Sequence, residues 1–342
     1  MSAVPRAFPP RPCPVCLAIE PRFLFRQQFS QLSEGSLFSG YDLVCCATCG
    51  AAYADGIPPQ TAFDRYYAEM SKYENAAGAG ESSPAEKGRY RAVADVLERV
   101  LDRRARVLDV GCATGGLLAE LSRRGFSDVA GLDPSSKCVE IVRGRHGLPA
   151  TVGTFATLPA LSLRADVVLL IGVLEHLRDV DAALDAMKRV LSADGGAIYV
   201  EVPDASRYDE QPSAPYQLIS YEHINYFSRQ SLSRLMVRHG FVEELAELVE
   251  RPLSPTTAEP ALAALFRRRE TMVVQSEERD DGTEPALRRY LARSARDEAR
   301  VRVVIEELVA AQRPLVVWGT GTHTLRLLET TRLKEANLVA FL

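Results

Sequence analysis

The sequence has no apolar run close to the ~20 residues that a membrane-spanning helix needs. Proline and arginine in the N-terminal stretch MSAVPRAFPPRPCPVC stand where a signal peptide would need an apolar segment. An excess of positive charge is also missing, because the formal net charge is −4. This charge gives no general attraction to nucleic acid or to anionic membranes, although it is compatible with a local basic patch. We therefore expect a cytoplasmic protein without nucleic-acid or membrane partners.

What is present is the composition of a soluble protein with more than one domain. The 342 residues exceed the usual size of a single hydrophobic core, which favours two or three domains. In a reducing compartment, the seven cysteines are expected to be thiols or metal ligands rather than disulfides. The sequence leaves the oligomeric state open.

Residues from about 103 to 250 alternate short apolar strands with amphipathic helices. The predicted strands include ARVLDVG, DVAGLD, ADVVLLIGV and GAIYVEVPD. The third of these is apolar throughout, as expected for a strand that is covered on both faces. This alternation predicts an α/β fold with a parallel, Rossmann-like sheet flanked by helices.

The strongest chemical signal is ARVLDVGCATGGLLAEL, where a strand turns into a helix. Asp109 lies at the end of the strand, and Gly111 and Gly115 lack the Cβ atoms that would keep a ligand away from the backbone. In a doubly wound sheet, ligands bind at the carboxyl ends of the strands. The Gly-x-x-x-Gly spacing fits neither the dinucleotide fingerprint nor the phosphate-binding P-loop.

This turn resembles motif I of the class I S-adenosylmethionine-dependent methyltransferases, and the resemblance covers about residues 60–250. It implies that the acid and the turn face the charged amino-acid end of the cofactor. GLDPS places Asp133 at the end of the second strand, where an acid can accept the ribose hydroxyls. GTFATLP would form the adenine pocket, and the strand end before Glu175 and His176 would line the methyl-transfer site.

The cofactor-binding residues predicted in this way are Asp109, Gly111, Cys112, Gly115, Asp133, Pro134, Thr154, Phe155 and Tyr73. Tyr73 lies in FDRYYAEMSKYENA, a segment that can cover the cofactor pocket in the family described next. The alternative is that Asp109 caps a helix, Asp133 is a turn residue, and Cys112 is a small packing residue. The order and spacing of the motifs favour the cofactor site.

The whole arrangement also resembles the sugar C-methyltransferases that act on nucleotide-linked deoxy-keto-sugars. The resemblance rests on CPVC, CATCG, FDRYYAEMSKYENA, ISYEHINYFSRQSL and VVWGTGTHT. It implies that His223, preceded by Glu222, removes a proton beside a ketone, although Ser220 stands where that family has a tyrosine. His176 is a second candidate base. For each histidine, the alternative is a packing or hydrogen-bonding role.

Two Cys-x-x-Cys pairs lie near the N-terminus, Cys13 with Cys16 and Cys46 with Cys49. Two such turns facing each other would complete a tetrahedral Zn²⁺ site. Cys45 is a rival ligand, but Cys46 gives the correct spacing. The alternatives are a redox dithiol and unpaired buried thiols. We predict a structural zinc site that supplies much of the stability of the local fold.

The segment WGTGTHT follows a predicted strand and precedes a helix, like a dinucleotide-binding turn. Thr324 stands at the third small position, so we predict an incomplete Rossmann-like unit with a structural or substrate-cradling role rather than an NAD site. The predicted domains are a zinc-binding module (1–60), a methyltransferase core with an N-terminal helical lid (61–250), and a helical linker with the incomplete αβ unit (251–342).

Three functions are open at this point. The first is a methyltransferase whose acceptor is a small molecule, such as a nucleotide-linked keto-sugar or a natural-product intermediate. The second is a methyltransferase whose zinc module docks a protein or RNA, although the lack of basic runs weighs against RNA. The third is a non-catalytic scaffold that binds the cofactor and zinc. The intact Asp109, Gly111 and Asp133 weigh against loss of the cofactor.

Overall fold

The computed structural model describes residues 8–31, 37–69, 82–193, 195–252, 258–269 and 278–342. The chain falls into two compact units. The core unit comprises Gln60–Asp204 and Arg229–Glu278, and the cysteine unit comprises Met1–Pro59, Ala205–Ser228 and Arg279–Leu342. The three-domain division stays a prediction. A strand at Ala258–Arg268, beyond its boundary at residue 250, pairs within the core unit.

Helices and strands are numbered along the chain. The helices are α1 Gln60–Glu69, α2 Pro84–Val100, α3 Gly116–Arg123, α4 Ser136–Ile141, α5 Val180–Val190, α6 Arg229–Arg238, α7 Thr283–Ala311 and α8 Thr322–Thr330. The strands are β1 Pro21–Gln28, β2 Gly40–Cys46, β3 Ala52–Asp55, β4 Arg106–Val110, β5 Asp128–Asp133, β6 Ala150–Val152, β7 Val167–Ile171, β8 Ala197–Pro203, β9 Asn225–Tyr226, β10 Phe241–Pro252, β11 Ala258–Arg268, β12 Leu315–Val317 and β13 Leu338–Phe341. A π-helical turn, Val142–His146, follows α4. Within the described ranges, none of the helices combines the length and the apolar character that crossing a membrane would require.

The core unit is built on a seven-stranded sheet in the order β10-β11-β8-β7-β4-β5-β6. The five strands from β8 to β6 run parallel, whereas β11 is antiparallel to β8 and β10 is antiparallel to β11. The strand order reverses between β4 and β7, which is where such sheets bind ligands. The expected parallel sheet flanked by helices is therefore confirmed.

Apolar side chains explain why β7 and β4 lie at the centre of this sheet. Residues 167–170 of β7 are completely buried, as expected for a strand that is covered on both faces. Leu97 of α2 and Leu118 of α3 join Val107 of β4 in one apolar cluster. This packing fixes the carboxyl ends of β4, β5 and β7, where the candidate site lies.

The cysteine unit carries an antiparallel sheet, β1-β2-β3-β9, and a parallel pair, β12 and β13, connected through α8. Asp280 holds the start of α7, because its side chain accepts hydrogen bonds from the N–H groups of Gly282 and Thr283, both at 3.1 Å. The Asp280 N–H donates to the carbonyl oxygen of Cys49 at 2.9 Å. The second cysteine loop is thereby tied to the start of α7.

Candidate active site

A tight turn connects β4 to α3 at the carboxyl edge of the core sheet. Gly111 and Gly115 have φ angles of 80° and 78°, in the left-handed region that favours glycine. A Cβ atom on Gly111 would lie 2.7 Å from the Val173 side chain, so a larger residue would displace the loop after β7. The Gly111 N–H donates to the carbonyl of Leu132 in β5 at 2.7 Å, which holds the turn against the neighbouring strand.

Asp133, at the end of β5, connects the turn to α4. Its buried carboxylate accepts hydrogen bonds from the N–H of Ala113 at 2.8 Å and from the N–H of Ser135 at 2.9 Å. A carboxylate can accept about four hydrogen bonds. The expected contact with ribose hydroxyls is compatible with this geometry and stays a prediction.

Asp109 ends β4 directly before the turn, and only 3% of its surface is exposed. Burial raises the pKa of its carboxyl group to about 7, and the negative charge of Asp133 contributes to the rise. Arg89 acts in the opposite direction. Because a nearby positive charge would favour the ionised carboxylate, Asp109 is suited to a cationic ligand group.

The loop after β6 lies next to these acids. The N–H of Gly153 donates to the Asp133 carbonyl at 3.0 Å, which places the following Thr154 and Phe155 beside the end of β5. Phe155 is buried, whereas Thr154 and Pro134 are half-buried. An apolar ring beside a strand-end acid is compatible with the adenine pocket that the sequence predicts.

Cys112 and Tyr73 are the remaining predicted cofactor residues. The Cys112 side chain packs against β5, where its Sγ would be 2.5 Å from a Cβ atom on Gly131. Burial raises the pKa of this thiol well above its ordinary value, so the side chain behaves as a neutral packing group. A contact of Cys112 with the cofactor would therefore use its backbone. Tyr73 lies outside the described residues.

The turn after β7 brings a tyrosine and a histidine together. His176 ends the short 3₁₀ turn Leu174–His176, and its Nδ1 lies 3.0 Å from the hydroxyl of Tyr67 in α1. The two rings meet edge to face. His176 Nε2 is 3.9 Å from the buried carboxylate of Glu175. A histidine between a phenol and a carboxylate is well placed to accept a proton.

Glu175 belongs to a group of buried charges near the carboxyl ends of β7 and β8. Arg251 Nη1 is 3.6 Å from Glu175 Oε1, and Arg251 also pairs with Glu259. Arg89 Nε is 2.5 Å from Glu201 Oε1. Neither carboxylate oxygen of Glu175 has a hydrogen-bond partner among the described residues. Three glutamates against two arginines give this group a negative excess, which suits a cationic ligand.

Glu222 and His223 lie in the cysteine unit, on a turn that Ser220 shapes. The Ser220 hydroxyl oxygen accepts hydrogen bonds from the N–H of Glu222 at 3.0 Å and from the N–H of His223 at 3.2 Å. Both side chains are half-buried. Ser220 therefore supports this turn. The catalytic roles of Glu222, His223 and His176 stay predictions.

The four predicted ligand thiols converge in the cysteine unit. Their sulfur atoms all lie within 4.8 Å of one another. Sγ separations are 3.6 Å for Cys13 and Cys49 and 3.5 Å for Cys16 and Cys46. Four sulfurs around a tetrahedral Zn²⁺ with Zn–S of ~2.3 Å are about 3.8 Å apart. Hydrogen bonding from Cys13 lowers the pKa of Cys16 to about 6. The four cysteines therefore form a possible metal site.

Comparison with known proteins identifies the core. A family model described as a methyltransferase domain matches residues 85–244. The chain is 30% identical over 173 residues to the biotin biosynthesis bifunctional protein BioHC of Cellvibrio japonicus, covering 48% of this chain and 34% of that protein. It is 30% identical over 76 residues to EEF1A lysine methyltransferase 2 of Danio rerio, covering 22% of this chain and 33% of that protein. The chain thus spans about a third of the length of these curated relatives.

Among solved structures, magnesium protoporphyrin IX methyltransferase from Synechocystis with bound S-adenosylhomocysteine is similar at a TM-score of 0.47 and 13% identity. The similarity covers 62% of this chain and all of that one. Residues 85–244 are therefore similar to a methyltransferase domain. The expected fold is confirmed, and the match supports the expected class of enzyme for this part of the chain.

Proposed function

We propose that the chain is an S-adenosylmethionine-dependent methyltransferase with a small-molecule acceptor. The junction of β4 and β5 carries this proposal, because it combines a left-handed glycine turn with the buried Asp109 and with Asp133, whose carboxylate holds the turn. When bound, the cofactor supplies an activated methyl group. Asp109 would face its cationic amino-acid end, Asp133 its ribose, and Phe155 its adenine.

The charges at this edge of the sheet support a cationic cofactor. Desolvation keeps Asp109 partly neutral near pH 7, and Glu175 belongs to a buried group with a negative excess. A sulfonium compound with an amino group would offset both. A phosphorylated cofactor would instead add negative charge beside two buried acids, at a high cost in desolvation and repulsion.

The chain's own groups would handle the proton of the acceptor. With the Nδ1–H of His176 donating to Tyr67, its Nε2 would be the nitrogen that accepts the proton, and the Glu175 carboxylate at 3.9 Å would stabilise the resulting imidazolium. Tyr67 fixes the orientation of the ring. Alignment of the acceptor with the methyl donor accounts for much of the remaining catalysis.

For the acceptor, we propose a nucleotide-linked keto-sugar that is methylated at carbon. The support is the resemblance carried by CPVC, CATCG and ISYEHINYFSRQSL. A carbon beside a ketone needs a base to remove its proton. In this proposal His223 with Glu222 is the alternative base to His176. Comparing the turnover of His176→Asn and His223→Asn on such a sugar distinguishes the two candidate bases. Methylation at oxygen or nitrogen, in a screen of acceptors, would contradict the proposed carbon acceptor.

We also propose that Cys13, Cys16, Cys46 and Cys49 hold a structural Zn²⁺ and that the protein acts in the cytoplasm. The converging thiols support the metal. Softer or redox-active metals are the alternatives, and elemental analysis of the purified protein tests them. This metal would stabilise the cysteine unit and take no part in methyl transfer.

The decisive experiment is calorimetric titration with S-adenosylhomocysteine. Wild-type protein is expected to bind at micromolar concentration. Asp133→Ala is expected to bind about 10- to 100-fold more weakly, the scale of lost hydrogen bonds to a charged group. Asp128→Ala, an exposed acid at the other end of β5, is the matched control. If the folded wild-type protein does not bind, the proposed function is wrong.

A further inference from the structure

A cavity of about 330 Å³ lies in the core unit between α2, α3 and the π-helical turn. Lys87 and Arg91 of α2 line it, together with Arg123 of α3 and Arg145 of the π-helical turn. None of the predicted cofactor residues that the structure describes is part of its lining. The cavity therefore uses other residues than the candidate cofactor site, although Gly116 directly follows Gly115.

Most of the charged side chains that line the cavity are cationic. Among the described residues around the cavity, Glu120 is the one acid against four cationic side chains. Glu120 already pairs with Arg123 at 2.7 Å and with Arg124 at 2.8 Å. The hydrogen bond from Arg123 lowers the pKa of Glu120 to about 2, so this acid is ionised and already engaged. Since the whole chain has a net charge of −4, the basic lining is not a result of overall composition.

The cavity is shaped by a glycine and connected to the cofactor turn. A Cβ atom on Gly116 would lie 2.4 Å from the Tyr90 ring and 2.7 Å from the Ser82 hydroxyl, so only glycine lets both groups close on the first turn of α3. His146, also in the lining, has its Nε2 3.1 Å from the carbonyl of Thr114. An occupant of the cavity would therefore lie next to residues that position the glycine turn.

We propose that this cavity binds the phosphate or diphosphate group of a small ligand. Guanidinium groups match phosphate oxygens in geometry as well as in charge, and here three arginines and a lysine line the cavity from three separate elements. These four cationic side chains are exposed, so a ligand can reach them from solvent. This proposal does not depend on the acceptor or on the cofactor of the candidate active site.

Calorimetric titration with inorganic diphosphate at constant ionic strength tests the proposal. The double variant Lys87→Ala/Arg91→Ala is expected to bind diphosphate about tenfold more weakly than the wild type, or weaker still. The control is Arg104→Ala/Arg164→Ala, which removes the same charge from exposed core-unit positions outside the cavity lining. The control is expected to bind like the wild type. Thermal unfolding of each variant verifies that it is folded.

Absence of diphosphate binding to the wild type, or an equal loss in both double variants, would overturn the proposal. A nucleoside diphosphate that binds more tightly than diphosphate identifies a nucleotide as the ligand, whereas equal affinity identifies the phosphate groups alone. Both outcomes support the site. Titration of the same samples with S-adenosylhomocysteine separates the two proposals, because a failure there leaves the diphosphate result standing.

Discussion

At the scale of single residues, two acids at one edge of the sheet are held differently. Asp133 accepts backbone hydrogen bonds from Ala113 and Ser135. Asp109 is desolvated, which raises its pKa to about 7. The difference arises because the Asp133 carboxylate has backbone N–H donors in and beside the turn, whereas the Asp109 carboxylate is buried away from water. Ligand binding is therefore expected to change the number of protons that Asp109 holds.

Binding of S-adenosylhomocysteine is expected to release protons from Asp109 below about pH 7. The cationic amino group of the ligand favours the ionised carboxylate, so the affinity rises with pH up to about 7 and then levels off. Calorimetry in buffers of different ionisation enthalpy measures this release. Asp109→Asn is expected to abolish it, and proton uptake by the wild type would contradict the assignment.

The same pKa affects stability. The ordinary carboxyl value is 3.8 and the folded-state value is about 7, so the folded protein binds more protons than the unfolded chain between these values. The contribution of Asp109 to the free energy of unfolding therefore falls as the pH rises through this range. Urea unfolding of the wild type and of Asp109→Asn, below and above the range, is expected to show a smaller pH dependence in the variant.

Tyr67 is expected to act as a positioning residue for His176. Tyr67→Phe removes the 3.0 Å contact and should lower kcat by about tenfold. His176→Asn should lower kcat by a factor on the order of 10² or more. Affinity for S-adenosylhomocysteine should not change. Tyr66→Phe, on the same helix, is the matched control, and an unchanged kcat in Tyr67→Phe would show that the Tyr67 hydroxyl does not position His176.

Motifs in the sequence identify the strand-end acids but not the groups around His176. Asp109 and Asp133 follow apolar strands at a spacing that implies one edge of a sheet, and the structure places them there. Tyr67 comes from α1, far along the chain, and the run FDRYYAEM offers two adjacent tyrosines with no signal for which one faces the site. Only the tertiary packing of α1 selects Tyr67.

At the scale of elements, four of the five strands of the parallel sheet could be predicted, whereas the short β6 and the final hairpin could not. β10 has the sequence FVEELAELVERP, which is rich in leucine, glutamate and alanine, all good helix formers. Its strand conformation comes from pairing with β11, which in turn pairs with β8. Such partners lie outside any local sequence window, so tertiary context overrides propensity here.

The start of α7 is expected to depend on Asp280. This buried side chain accepts hydrogen bonds from the N–H groups of Gly282 and Thr283 and from the hydroxyls of Thr283 and Ser228. Asp280→Ala should lower the free energy of unfolding by about 2 kcal/mol. Asp281→Ala, whose side chain is 82% exposed, should change it by less than about 0.5 kcal/mol. Chemical denaturation measures both values, and an equal loss of unfolding free energy in the two variants would contradict the role of Asp280 at the start of α7.

At the scale of the whole molecule, three chain segments that are far apart in sequence form the cysteine unit. The sequence suggested a zinc module confined to residues 1–60 because the cysteine pairs lie there. The structure adds β9 from the segment before α6, and α7 through Asp280. Long-range pairing of this kind leaves no periodic signal, which explains why the sequence did not indicate it.

Loss of one predicted zinc ligand is expected to weaken this unit. Cys46→Ser should lose stoichiometric zinc and lower the thermal unfolding temperature. The neighbouring Cys45 donates its thiol to the Gly50 carbonyl at 3.1 Å, so Cys45→Ser should retain the metal. Metal content by elemental analysis and a thermal scan measure both effects. Zinc retained by Cys46→Ser and lost by Cys45→Ser would reverse the assignment of the ligand.

The division of the cysteine unit into three segments also bears on the order of folding during synthesis. Residues 1–59 are synthesised well before their partners in residues 205–228 and 279–342. The last strand of the core sheet, β11, is complete before α7 begins. Domains usually fold as they emerge, N-terminal first. The core unit can therefore fold while the later segments of the cysteine unit, which pair with the N-terminal segment and its thiols, are still to be synthesised.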